Sequence, residues 1–196
     1  MNPIAKLFLG AKHWQIFSLI FVPMAVGQIA LATSVSAAVP TEEGFQRAAT
    51  LAGILAMLFM LFLVGWFWAM GSFLSSIADP RLRLRRAFFH FALVYPPIYL
   101  PVFIAIFARI TTAPGVFAII FPLHFLVVYC TLYLLYFVSK SLVLVERGQP
   151  VSFYDYSGPF FLLWFFPLGV WVIQPRINRL YEQHGSVELS PGDSVV

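Results

Sequence analysis

Four apolar runs, each about as long as a bilayer's hydrocarbon core is thick, leave this chain few ways to fold. They extend over Trp14 to Val39, Ala48 to Ile77, Phe88 to Ala108 and Gly115 to Val138, with a shorter fifth from Pro159 to Gln174. A helix needs about 20 apolar residues to cross a core roughly 30 Å thick, and each of the first four runs supplies them. Lipid offers no hydrogen bonds, so the backbone amides must be bonded within each segment, and the runs predict helices. The expected fold is all-α: a polytopic transmembrane helical bundle of four full spans plus a short fifth segment, spanning or re-entrant.

Composition enters as an independent check. Hydrophobic residues make up 61% of the chain and charged residues 10%, against about 45–50% and about 25% in soluble domains. A water-soluble domain of this size buries only about 70% of its unfolded surface, which leaves too much apolar area for water to cover. The connections are too short for a second domain, so residues 1–180 form one membrane domain and residues 181–196 a polar C-terminal tail. Cys130 is the only cysteine, which excludes an internal disulfide and any multi-cysteine metal site.

Charge placement orients the bundle. Lys6 and Lys12 precede the first run, Arg81, Arg83, Arg85 and Arg86 separate the second from the third, and Lys140 and Arg147 follow the fourth. The other connections carry Arg47 and Arg109 alone, beside Glu42 and Glu43. Lysine and arginine in short loops favour the cytoplasm, so these clusters and the N-terminus are expected there. The fifth run is short, and Pro167, Gly169 and Pro175 interrupt it. A full crossing would carry Arg176 and Arg179 outside, whereas a re-entrant path returns them inside. The start of the chain also resembles a secretory signal, with Val35-Ser36-Ala37 before Ala38 as a small-residue cleavage site. Its apolar stretch exceeds the usual 7–15 residues, so an uncleaved first helix is expected.

Polar residues inside the runs cost free energy unless paired or hydrated. His124 falls near the expected midplane, where an imidazole relays protons, binds a ligand or bonds a neighbouring helix; Pro122 upstream frees a carbonyl as a partner. Gln28 lies deep in the first run, and these two form the candidate intramembrane polar site. The proline-interrupted C-terminal stretch adds Gln174 and Arg176 at a membrane boundary. With Arg81, Arg83, Arg85 and Arg86 they are the candidate contacts for anionic lipid headgroups. Pro96, Pro97 and Pro101 predict a kinked or partly unwound third span. Gly53, Gly65 and Gly71 are candidate close-packing positions, Trp14, Trp66 and Trp68 suit an interfacial belt, and Trp164 and Trp171 would share one helix face if the intervening Pro167 permits a continuous helix.

What is missing narrows function further. All eight acidic residues lie outside the apolar runs, which counts against a proton-coupled carrier and an intramembrane aspartyl protease. No HExxH, GxGxxG, Walker loop or GxSxG elbow is present. No catalytic residue, cofactor or metal ligand is assigned. The basic loop is short and lacks a folded platform, so its net charge speaks for membrane electrostatics rather than nucleic acid.

Lys12-His13-Trp14, Gly65-Trp66-Phe67-Trp68, Phe121-Pro122-Leu123-His124 and the stretch from Trp164 to Asn178, with its Phe-Pro-x-Gly-x-Trp-x-x-Gln-Pro-Arg-Ile-Asn core, resemble a group of small bacterial multipass membrane proteins. The resemblance covers most of the chain; it implies an inner-membrane address and no chemistry. Two functional classes follow from the residues: a noncatalytic component that packs with itself or a membrane partner, or a small transporter or channel built around His124 and Gln28.

Overall fold

The computed structural model describes residues 2–36, 41–107, 115 and 117–188. Seven α-helices follow one another among them: α1 (Pro3–Gly10), α2 (His13–Val35), α3 (Glu42–Ile77), α4 (Ala87–Phe107), α5 (Phe117–Arg147), α6 (Phe153–Trp164) and α7 (Phe166–Glu188). Helices α2 to α5 are each long and apolar enough to cross a membrane. Arg109 and the cleavage-site residues Ala37 and Ala38 lie outside the described residues.

Local chemistry sets the helix ends. Helix α3 begins at Glu42 rather than Ala48 because Thr41 caps it, accepting from the Gly44 amide at 3.1 Å. Glu42 and Glu43 occupy its first turn, where the helix dipole favours anions, and Glu43 pairs with Arg47 one turn on. Helix α5 runs past Val138 to Arg147; the buried Ser139 hydroxyl donates back to the Leu135 carbonyl and so needs no external partner. Despite Pro96, Pro97 and Pro101, α4 stays helical from Ala87 to Phe107, with no unwound stretch.

Helix α1 was not apparent as an apolar run. Asn2 accepts from the Ile4 amide, Pro3 opens the first turn, and Ala5, Phe8 and Leu9 are buried while Ile4 and Leu7 face outward. It packs on α3 and α7.

Helices α2 and α3 form one antiparallel pair, α4 and α5 another, and the pairs meet mainly at one end. That end carries Lys12, residues 81–86 and Arg147, and is termed the basic end. Buried residues of α3 span only Trp66 to Ser75, and those of α5 cluster from Cys130 to Leu144. The Phe89 ring stacks on Phe137 with centroids 4.2 Å apart and lies against Gly71, where a Cβ would come within 2.2 Å of it. Toward the far end large apolar side chains such as Ile54, Leu58, Ile98, Ile104, Ile119 and Phe125 are exposed. No aqueous fold tolerates that distribution; lipid or other transmembrane helices suit it.

The segment 159–174 is not one rod. Phe165 leaves helical geometry at φ −90° and ψ 60°, ending α6, and α7 starts at the next residue. Tyr156 of α6 meets Tyr136 of α5, while Leu163 and Trp164 line a hollow with Val127 and Val128. Helix α6 therefore runs antiparallel to α5. Along α3, Phe59 meets Phe166, Trp66 meets Gln174 and Phe73 meets Tyr181, so α7 runs parallel to α3 and returns to the basic end. The two form a helical hairpin whose corner is so tight that a Cβ on Gly169 would lie 1.8 Å from the Leu162 carbonyl oxygen. The corner corrects the expected shared face of Trp164 and Trp171: they sit on different helices, with Trp171 packed on His13 and Phe17. Residues 181–188, expected as tail, continue α7.

Candidate functional site

His124 and Gln28 have different surroundings. His124 lies on an exposed part of α5 with its Nδ1 3.2 Å from the Tyr99 hydroxyl of α4, rather than on a carbonyl freed by Pro122. The neighbouring Tyr95 hydroxyl donates to the Leu123 carbonyl at 3.2 Å. These contacts join α4 to α5, and an aromatic ladder of Phe91, Tyr95, Tyr99 and Phe103 runs down the same face of α4. Gln28 is exposed on α2 and lines a shallow groove of about 260 Å³ with Gly27, Ala52 and Leu100, a groove that His124 does not reach.

Gln174 plays a different part from the surface contact expected of it. Its side chain is fully buried, as is Trp66, which donates from Nε1 to the Gln174 Oε1 at 2.8 Å. The Gln174 Nε2 donates to the carbonyls of Phe8 at 2.9 Å and Ala11 at 3.0 Å, and Asn178 donates to the Ala11 carbonyl as well. Those carbonyls close α1 and its turn into α2, where a helix end leaves acceptors unbonded. One amide thus ties α1, α3 and α7 together, with nothing left over for a headgroup. Trp66 belongs to this core and not to an interfacial belt; Trp14 is exposed.

Arg176 is engaged too. Its Nε donates to Glu146 Oε1 at 2.8 Å and its Nη2 pairs with Oε2, a bidentate bridge from α7 to the end of α5. In the basic loop Arg83 donates to the Ala78 carbonyl at 3.3 Å, and Asp79 accepts from the Arg81 amide, so the loop is ordered by its own backbone. Arg81, Arg83 and Arg85 are exposed. Arg86 is partly enclosed, with a buried Nε that has no partner; burial first, then the nearby Arg83, push its guanidinium below the ordinary value. At the base of α6, Asp155 accepts from the Ser152 hydroxyl and amide and pairs with Arg147, which holds its carboxyl below the ordinary value.

Two hollows differ sharply in chemistry. One, of about 310 Å³, lies between the helix pairs above the α6–α7 corner and is lined by Met60, Phe67, Pro96, Leu135 and Trp164; its one polar residue, Thr131, spends its hydroxyl on the Val127 carbonyl. The other, of about 590 Å³, opens at the basic end between the termini of α3, α5 and α7 and carries Glu146, Arg176, Arg179, Gln183 and His184. Arg179 enters the sequence reading only through topology, and Gln183 and His184 not at all, although Arg176, Arg179 and Gln183 at i, i+3 and i+7 mark one helix face. No cluster of three or more His, Cys, Asp or Glu side chains able to hold a metal occurs among the described residues. Cys130 is buried.

No family model, curated protein or solved structure matches this chain.

Proposed function

We propose that the protein is a noncatalytic component of the bacterial inner membrane that assembles with further transmembrane helices through the far half of α2 to α5. In this reading the basic end faces the cytoplasm, with the N-terminus, following the lysine and arginine bias. Four helices cross fully. The α6–α7 hairpin is re-entrant: α6 is about 18 Å long, too short for a core of about 30 Å, and α7 returns to the side from which α6 rose. Arg176 and Arg179 then stay in the cytoplasm.

The observation that carries the assembly reading is Gln28. It lies about 10 Å inside the far end of an apolar helix, exposed, with no hydrogen bond to any described residue. An unpartnered amide in hydrocarbon is unfavourable, and interhelical hydrogen bonds of such side chains draw membrane helices together. His124, exposed on α5, offers a second such contact through its Nε2. The alternative, transport through a path joining His124 and Gln28, is less favoured because His124 does not line the groove that Gln28 borders.

Gentle solubilisation followed by measurement of the protein mass in the particle tests this. The wild type is expected as an oligomer or with a copurifying membrane protein. The Gln28→Leu, His124→Leu double variant should keep its helicity and lose the partner. A wild type that is a strict monomer without a companion would overturn the reading.

A further inference from the structure

We propose that the hollow where α3, α5 and α7 end binds a phosphate-bearing anion. The proposal stands apart from the assembly surface, which lies at the opposite end of the bundle. The hollow, of about 590 Å³, has walls from three helices, and the side chains reaching it are largely polar: Arg176, Arg179, Gln183, His184 and Glu146, beside Ile77.

The one carboxylate in that lining does not leave the hollow anionic. Glu146 spends both oxygens on Arg176, through Nε and Nη2, which fixes the guanidinium plane and leaves Nη1 for another acceptor. A guanidinium buttressed in this way presents a rigid fork, the geometry that suits phosphate oxygens. Arg179, one turn along α7, is exposed and has neither ion pair nor hydrogen bond among the described residues, so its guanidinium donors are not committed there. It also borders a second hollow lined by Lys12 and His13, where Glu182 is the one acidic side chain. His184 donates from Nδ1 to the Leu180 carbonyl, 2.8 Å away, and its ring packs on Phe73, which fixes the ring; as an imidazolium it donates from Nε2 to an anion as well. The site thus combines one positioned arginine, one free arginine and an oriented imidazole. A phosphate diester of a lipid headgroup and a free phosphate share this chemistry.

The test uses the full chain in nanodiscs. In purely zwitterionic discs, titration with inorganic phosphate is followed by calorimetry; in discs containing phosphatidylglycerol, lipid retained on the protein is counted by native mass spectrometry. Arg179→Gln, on an exposed position, and the paired Arg176→Gln, Glu146→Gln variant, which removes both members of the bridge together, should each weaken binding about tenfold or more, the value of a charged hydrogen bond. Arg47→Gln, at the opposite end of the bundle, should leave binding unchanged. Saturable phosphate binding with this pattern assigns a soluble ligand; retained phosphatidylglycerol with the same pattern, without phosphate binding, assigns a headgroup. Absence of both, or equal loss in Arg47→Gln, overturns the proposal.

Discussion

Replacing Gln174 with leucine should loosen the basic end as a unit. The substitution keeps the volume roughly constant and deletes three hydrogen bonds: one from Trp66 and two to the carbonyls of Phe8 and Ala11. Ala11 retains Asn178, so the groups left without their Gln174 partner are the Trp66 indole N–H and the Phe8 carbonyl. Interhelical hydrogen bonds in membranes average about 0.6 kcal/mol, which over three bonds gives about 2 kcal/mol. Stranding a buried donor and a buried acceptor costs about 1–3 kcal/mol each, an upper figure near 6 kcal/mol. A loss of about 2–4 kcal/mol is therefore expected, measured by reversible SDS-titrated unfolding in mixed micelles with helicity as the signal. Adding Trp66→Phe should recover part of it, with a coupling of about 0.6–1.7 kcal/mol, because a donor without an acceptor is then gone. Amides of residues 4–10 should exchange faster in Gln174→Leu than in the wild type. A loss below about 0.5 kcal/mol, or no coupling to Trp66, would refute the reasoning.

Gly169→Ala should prevent the α6–α7 corner from closing, since its Cβ would meet the Leu162 carbonyl carbon and oxygen rather than a yielding side chain. A loss of several kcal/mol in the same unfolding assay is expected. Gly71→Ala displaces only the Phe89 ring, and overpacking there should cost about 1–3 kcal/mol. Asp155 has its pKa lowered from 3.8, so its ionised form stabilises the entry to α6 above that value and the contribution fades as pH falls through the lower folded value. The melting difference between wild type and Asp155→Asn should be constant above about pH 5 and shrink in stronger acid; a difference that changes between pH 6 and 8 would contradict the assignment.

The spanning helices were legible because run length alone specifies them: no partner has to be known for Ala48 to Ile77 to need a bilayer. Their ends were less so, since capping by Thr41 and back-bonding by Ser139 extend helices through residues that lower the apolar average. The corner at Phe165 was hidden for a different reason. Within an apolar run Pro167 signals an interruption, yet as the second residue of α7 it is a favourable helix start. The role of Gln174 was beyond reach of local pattern, because Trp66 and Phe8 stand 108 and 166 residues away in the chain. The same holds for His124 and Gln28: sequence placed both in lipid-spanning runs but carried no information on which way either faced.

The central claim is that the chain crosses the bilayer four times and closes its basic end with a hairpin that enters and leaves on the same side. Site-directed labelling with a membrane-impermeant thiol reagent tests it, in a Cys130→Ser background with single cysteines introduced as Asn2→Cys, Phe45→Cys, Arg81→Cys or Glu182→Cys. Positions 2, 81 and 182 should label from one side and position 45 from the other. Labelling of position 182 together with position 45 would mean a fifth full crossing and would contradict the account.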